Sequence, residues 1–201
     1  MSIKRLSTGS ISSTTPKNSK VWDQETFPGT FESIASAVVD ASGASSIDFT
    51  NIPQNYTHLQ IRVTARTTYA GSGLNNIVLR FNDDGGTNYN YHILYGTGST
   101  VASGNSGSGF TQAQAYFGTS MPQASATANV FGVYIVDVLD YKNTNKIKTI
   151  RSLNGADLNG SGTIALWANL WNSTAAINRV TFYTDANFAQ YSNISIYGIR
   201  G

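Results

Sequence analysis

Residues 58–66 read HLQIRVTAR, and apolar and polar side chains alternate along them without interruption. Leu59, Ile61 and Val63 fall on one face of an extended chain, and polar residues fall between them on the other. Successive side chains of a β-strand point to opposite faces of its sheet, so this period of two predicts a half-buried strand. The stretch therefore predicts a sheet with one apolar and one polar face.

Short runs of the same character continue on both sides of this stretch and are separated by turn residues. Branched and aromatic residues are concentrated in the runs, and no window has a helical period or a solenoid repeat. This spacing of strands is typical of sandwiches and barrels. We therefore predict an all-β fold, an antiparallel two-sheet β-sandwich of jelly-roll type. The predicted strands are residues 31–39, 46–50, 58–66, 76–81, 89–95, 113–118, 128–139, 146–153, 163–171, 178–184 and 192–200.

Two connections between these runs have their own interpretation. The runs 76–81 and 89–95 flank the turn residues NDDGG at 82–86, which predicts a β-hairpin. Residues 96–112 read GTGSTVASGNSGSGFTQ, and this composition predicts a long loop without secondary structure. Because the loop has little to bury, we expect its shortening to change stability only slightly.

The composition limits the chain to one domain and a small set of chemistries. The chain has 201 residues, no cysteine, and only 12% charged residues. Disulfides, zinc ribbons and cysteine nucleophiles are therefore excluded, and the surface must consist mainly of uncharged polar residues. We predict one sandwich domain at residues 29–201, preceded by an arm at residues 1–28.

The arm is basic and has no apolar periodicity. Its first 20 residues contain four basic and no acidic side chains, whereas the rest of the chain is slightly acidic. Such an arm could contact nucleic acid, remain disordered, or dock on another protein. We favour docking, with spaced apolar anchors and basic residues that pair with carboxylates. The predicted partner-binding residues are Ile3, Lys4, Arg5, Leu6, Ile11, Lys17, Lys20 and Trp22.

Two predicted strands, 128–139 and 163–171, are apolar on both faces. A strand at the surface of a sandwich usually has one polar face, so something must cover the second apolar face. The cover could be the arm or a loop, or it could be a neighbouring subunit. For the second case we expect a homo-oligomer, and we take a trimer as its form. The predicted interface residues are Phe131, Val133, Ile135, Trp167 and Trp171.

Residues that could carry chemistry are few. His58 and His92 are the two histidines of the chain, and neither has a catalytic motif partner. Asp83 and Asp84 could bind calcium, but Asp-Gly-Gly is also ordinary turn chemistry, which we favour. The run DLNGSG at 157–162 lacks the acidic residue that closes a calcium loop. We predict no catalytic residue, no metal site and no cofactor.

Tyrosines are frequent near the predicted loops and strand ends of the first half of the chain. Their rings stack on sugars, so a glycan-binding surface is conceivable, although tyrosine is also an ordinary residue of β-sheets. The residues concerned are Tyr56, Tyr69, Tyr89, Tyr91 and Tyr95.

Several long segments resemble small virion proteins of tailed bacteriophages. They include MSIKRLSTGSI and KNSKVWDQ in the arm, IDFTNIPQNYTHLQIRVTARTT at 47–68, and LRFNDDGGTNYNYHILYG at 79–96. FGVYIVDVLDYKNTNKIKTIRSLNG at 131–155 and NFAQYSNISIYGIRG at 187–201 continue the likeness, which covers most of the chain in style and segment order. The resemblance implies jelly-roll structural proteins that decorate capsids or build tail fibres, and it carries no catalytic signature.

The resemblance leads to a functional expectation. We expect a non-enzymatic virion component, first a capsid decoration or cement protein attached through its arm, and alternatively a tail-fibre or baseplate adhesin that binds host-surface glycan. The partners would be capsid or other virion proteins. The longest apolar run, 130–139, contains Asp137 and is too short to span a membrane, and the N-terminus lacks the apolar segment of a secretory signal. We therefore expect assembly in the host cytoplasm without membrane insertion.

Overall fold

The computed structural model describes residues 30–107, 109–110, 112 and 114–200. The regular elements in this part of the chain are all β-strands, as predicted. The twelve strands are β1 Phe31–Val38, β2 Ala44–Phe49, β3 His58–Ala65, β4 Leu74–Phe81, β5 Tyr89–Gly96, β6 Val101–Asn105, β7 Ala115–Pro122, β8 Gly132–Val138, β9 Lys148–Asp157, β10 Gly162–Trp171, β11 Val180–Phe188 and β12 Asn193–Ile199.

The strands form two antiparallel sheets. The large sheet has eight strands in the order β1-β12-β3-β8-β9-β10-β5-β6, and the small sheet has four in the order β2-β11-β4-β7. From β2 to β5 each successive strand changes sheet, and the chain changes sheet again from β6 to β7, from β7 to β8 and from β10 to β11. This is the double Greek-key connectivity of a jelly roll, so the predicted fold is confirmed.

Two additions enlarge the sheet that contains β3. The meander β8–β9–β10 occupies the place of a single strand in the simplest eight-stranded jelly roll, and β1 and β12 extend the opposite edge beyond β3. The large sheet therefore has twice as many strands as the small sheet. Its inner face packs on the small sheet, and its outer face has no second layer among the described residues.

The core lies between the two sheets and follows the predicted alternation. Ile61 and Leu59 are fully buried on the inner face of β3, whereas Arg62 on the same strand is exposed on the outer face. Aromatic rings from the two sheets meet edge to face, and Phe117 of β7 lies 5.8 Å from Tyr134 of β8 between ring centroids. Such pairs add about 0.5–1.5 kcal/mol to the burial of their area.

The predicted hairpin between β4 and β5 is wrong, because these strands belong to different sheets. Residues 82–88 cross from one sheet to the other. Asn82 and Asp83 both adopt left-handed backbone conformations, with φ of 51° and 59°. The carboxylate of Asp84 accepts hydrogen bonds from the backbone N–H of Gly86 at 2.9 Å and from the indole of Trp171 at 2.7 Å. The turn chemistry is therefore real, but the turn is fixed to β10 instead of closing a hairpin.

The predicted structureless loop at 96–112 is also wrong in part. Residues Val101–Asn105 form strand β6, which pairs with β5 and ends the large sheet. Gln112 then forms an isolated antiparallel bridge with Tyr89. Backbone hydrogen bonds to β5 hold this edge strand, and they do not require apolar side chains. Its Gly- and Ser-rich sequence therefore has no apolar alternation from which a strand could be predicted.

The predicted arm lies outside the described residues, and β1 begins at Phe31, close to the predicted domain boundary. The partner-binding residues assigned to the arm therefore stay predictions. These residues are Ile3, Lys4, Arg5, Leu6, Ile11, Lys17, Lys20 and Trp22.

Candidate interaction surface

Exposed aliphatic side chains form a row across the outer face of the large sheet. The backbone register places Ile135 of β8 beside Leu153 of β9, Leu153 beside Leu166 of β10, and Leu166 beside Leu94 of β5. Between 43% and 53% of each residue remains exposed. Because neighbouring strands lie about 4.8 Å apart, this row extends for about 14 Å without a polar residue.

A second row lies two residues further along the same strands. It places Val133 beside Gly155, Gly155 beside Ile164, Ile164 beside Gly96, and Gly96 beside Val101 of β6. The three branched residues are 55%, 63% and 79% exposed, so each projects beside a glycine that has no side chain. The two rows together make one surface, which we call the outer patch. It consists of Leu94, Val101, Val133, Ile135, Leu153, Ile164 and Leu166.

Gly155 in the second row leaves a shallow depression in the outer patch. Its volume is about 770 Å³, and Val133, Ile135 and Ile164 line it together with Phe131 and the backbone of Gly155. Large exposed apolar areas on a soluble protein mark binding sites more often than scattered surface residues do. Apolar residues make up most of its lining, which suits an apolar side chain better than a polar substrate.

Polar residues border the outer patch on the side away from Gly155. Arg151 donates to Asp137 at 2.9 Å, and the side-chain amide of Gln60 donates to the same carboxylate at 3.0 Å. The register continues this polar row through Ala168 to His92 of β5. An apolar centre with a polar rim is the usual composition of a protein-binding surface.

The structure separates the predicted interface residues into two groups. Val133 and Ile135 belong to the outer patch, and Phe131 is partly buried at its edge, just before β8. Trp167 and Trp171 are only 3% and 2% exposed and lie on the inner face of β10. The assignment of the two tryptophans to an exposed interface is therefore wrong.

Both tryptophans are buried against aromatic partners, and Trp171 also has a hydrogen bond. Trp171 lies 5.4 Å from Phe81 and stacks on Tyr89 at 6.3 Å, and its indole N–H donates to Asp84. Trp167 packs on Tyr91 at 5.0 Å. The exposed large apolar residues of β10 are instead Ile164 and Leu166, which were not among the predicted interface residues. Because both faces of the strand are apolar, its sequence alone does not show which face is exposed. That choice depends on the position of the small sheet.

Two of the candidate chemical groups, His58 and Asp84, are engaged in structural contacts. His58 accepts a hydrogen bond from the backbone N–H of Asp140 at 2.9 Å, and His92 is exposed on the polar row. Burial alone would raise the pKa of Asp84, but hydrogen bonds from Trp171, Asn88 and Gly86 outweigh it and lower the pKa below its ordinary value. The described residues contain no group of three or more histidine or acidic side chains that could hold a metal ion.

Lys148 is a buried charged residue that the sequence analysis did not identify. It begins β9 with no exposed surface, and its ammonium donates to the carbonyls of Asn143, Lys146 and Thr174, the last two at 2.9 and 3.2 Å. Burial lowers the pKa of this lysine. Because an ammonium has three protons to donate and each reaches a carbonyl, the side chain fastens two loops together and presents no free nucleophile.

Comparison with protein-family models, with curated proteins and with solved structures found no match for this chain. In the described part of the chain, no helix is long and apolar enough to cross a membrane. The outer patch is thus the main basis in the structure for a functional conclusion.

Proposed function

We propose that this protein is a non-enzymatic structural component of a tailed-phage virion, a capsid decoration protein that attaches through residues 1–28. The observation that carries the proposal is the outer patch, an apolar surface on the outer face of the large sheet. Catalytic sites are normally concave and gather polar groups around a reacting atom, whereas this surface offers side chains for packing. The jelly-roll topology and the resemblance of several segments to virion proteins support the same function.

Attachment through the arm has a physical rationale in its composition. A segment that docks loses conformational entropy, so it must bury apolar area to bind. Ile3, Leu6 and Trp22 would supply that area, and the basic residues would pair with carboxylates of a shell protein. Exposed ion pairs contribute only about 0–1 kcal/mol each. We therefore expect apolar contacts to dominate the affinity and charges to govern the association rate and its salt dependence.

Two full-length variants test this attachment. One replaces Ile3, Leu6 and Trp22 by alanine, and the other replaces the four basic residues Lys4, Arg5, Lys17 and Lys20 by glutamine. Both are added to particles that lack the protein, and the bound fraction is measured at two salt concentrations. The apolar variant should lose more binding than the charge variant. If both bind like the wild type, the arm is not the anchor.

The main alternative is a tail-fibre or baseplate adhesin that binds host glycan. Two exposed tyrosines favour it: Tyr69 is 43% exposed and Tyr191 is 68% exposed, and both lie outside the strands. The backbone N–H of Ala124 donates to the carbonyl of Tyr69, and the backbone N–H of Tyr191 donates to the carbonyl of Val39. Both loops are therefore fixed while the tyrosine rings face solvent. Exposed aromatic rings of this kind can stack on sugars.

Immunogold labelling of intact particles separates the two functions. Labels over the head would support the decoration protein, and labels at the tail tip would support the adhesin. Tyr69→Ala and Tyr191→Ala serve as the matched variants, because they should abolish glycan binding in the second case and leave attachment unchanged in the first. Particles without label at either place would contradict both proposals.

A further inference from the structure

We propose that the outer patch is a self-complementary interface through which two copies of this chain pair face to face about a two-fold axis. The axis would run parallel to the strands, midway between β9 and β10. This inference is independent of the proposed virion function, since it rests on the sheet register alone. It also specifies a dimer where the sequence analysis took a trimer.

The second row of the outer patch, which contains Gly155 and Gly96, shows the self-complementarity most clearly. Rotation about this axis exchanges β9 with β10, β8 with β5 and β3 with β6 of the second copy. Gly155 and Ile164 are register partners, so Ile164 of each copy would lie over Gly155 of the other. By the same rotation Val133 would lie over Gly96. Every projecting side chain at the centre of this row then meets a position without a side chain.

The two neighbouring rows are also compatible with the rotation. In the aliphatic row Leu153 would face Leu166, and Ile135 would face Leu94. In the polar row the Asp137 carboxylate of one copy would face the His92 imidazole of the other, a complementary pair. Face-to-face sheets cross at about −30°, so the axis would be inclined by about half that angle to the central strands, and residues near its midpoint would be displaced least. The two copies therefore fit each other best at the apolar centre of the outer patch.

The available area is sufficient for a stable pair. The six strands from β3 to β6 extend for about 29 Å across the sheet, and their average length of eight residues corresponds to about 27 Å along it. This face therefore has a footprint of roughly 800 Å², which is the area that each partner buries in a standard protein interface. Sheets that pack this way lie about 10 Å apart and interdigitate their side chains.

A second copy fits the outer patch better than the basic arm does. The arm carries four positive charges, and the Asp137 carboxylate at the rim of the patch is already bound to Arg151 at 2.9 Å. The glycine gaps are spaced to match the projections of the same surface, and a foreign partner would match this spacing only by coincidence. If the arm covers the outer patch of its own chain instead, the protein stays monomeric in solution.

Sedimentation velocity of the full chain across micromolar concentrations tests the pairing. Ile164→Lys would bury an unpaired charge in the interface, so it should weaken dimerisation at least about a hundredfold. Val38→Lys is its matched control, because Val38 is 66% exposed on β1 of the same sheet but lies outside the overlap. A wild-type chain that stays monomeric, or that forms a trimer, overturns the proposal.

A steric variant checks the same interface without adding charge. A Cβ on Gly96 would make only ordinary contacts, with the nearest atom at 3.7 Å, so Gly96→Leu should fold normally and fill the position predicted for Val133 of the partner. Gly73→Leu is the control, since its nearest contact would lie at 3.8 Å in a loop before β4. The first variant should weaken pairing and the second should not. Equal dimerisation of the two variants overturns the proposal.

Cross-linking locates the axis itself. The chain has no cysteine, so Leu94→Cys and Ile135→Cys each introduce a unique thiol. Leu94 should lie about 10 Å from Ile135 of the partner but about 17 Å from Leu94 of the partner. A bismaleimide that spans about 10 Å should therefore join a mixture of the two variants and join neither variant alone. Cross-links within a single variant, or none in the mixture, overturn the proposed axis.

Discussion

Strands β3 and β10 belong to the same sheet, yet they distribute their apolar side chains differently. On β3, Ile61 points inward and Arg62 points outward, which is the ordinary arrangement of a strand with one wet face. On β10, Ile164 and Leu166 point outward, whereas Asn169 is buried inside. The outer face of the sheet is therefore polar around β3 and apolar around β10.

The interior behind β10 reinforces this contrast. The side-chain amide of Asn169 and the indole N–H of Trp167 are buried, and neither has a hydrogen-bond partner within the described residues. A buried polar group without a partner costs about 1–3 kcal/mol. The sequence therefore places polar groups inside and leucines outside on this strand. The proposed pairing through the outer patch accounts for the exposed apolar side chains on this side of β10.

Truncation on the two faces of β10 should give the largest difference in stability. Trp171→Ala removes a ring that packs on Phe81 and Tyr89, so we expect a loss of about 3–5 kcal/mol in the free energy of unfolding. Leu166→Ala on the outer face should cost less than about 0.5 kcal/mol in the monomer. Urea denaturation at a concentration that keeps the protein monomeric measures both. Similar losses would mean that the outer face is already covered within one chain.

The link between β10 and the sheet crossing should give a medium effect. Asp84→Asn replaces a carboxylate that accepts from Trp171, Asn88 and Gly86, and we expect it to cost about 1–3 kcal/mol. Because the folded-state pKa of Asp84 is lowered, the stability it contributes is present above the unfolded pKa of about 3.9 and is lost as the pH falls through the folded pKa.

The pH dependence provides a control for this variant. The difference in unfolding free energy between wild type and Asp84→Asn should be largest at about pH 7 and should shrink below about pH 4. Chemical denaturation at several pH values measures it. A difference that stays constant from neutral to acid pH would show that the variant acts through packing and not through the charge.

The sequence predicts most of the sheet residues because alternation is a local property. The strand at 58–66 and the runs around 135 and 167 are found in the structure near their predicted positions. The partners of a strand are set by contacts distant in sequence, so the turn at 82–86 was assigned to a hairpin that does not exist. Strand β6 was missed because backbone pairing with β5 holds a segment with few apolar residues.

The candidate surface was predictable to the level of the strand but not of the face. Two apolar faces on 163–171 indicate that one must be covered from outside, and this inference needs no structure. The choice between Trp167 and Leu166 requires the position of the small sheet, which local sequence does not determine. Size favoured the tryptophans as interface residues, but their large rings are buried on the inner face against other aromatic rings.

The smallest change in stability should come from the polar half of the outer face, around β3. The guanidinium of Arg62 lies 5.3 Å from the ring centre of Phe31 and 5.5 Å from that of Tyr197, and the two rings stack at 4.7 Å. Cation–π contacts at exposed sites are worth about 0.5–1 kcal/mol, so Arg62→Gln should lower stability by that amount. A double-mutant cycle with Phe31→Leu isolates the contact, since both changes keep most of the side-chain volume. A coupling energy near zero would mean that the rings stack without help from the charge.

Arg62 would face only Ser103 at the rim of the proposed dimer, and rim residues contribute little to affinity. Arg62→Gln should therefore leave the dimerisation constant nearly unchanged, and an effect as large as that of Ile164→Lys would move the boundary between the two halves of the sheet from β8 to β3.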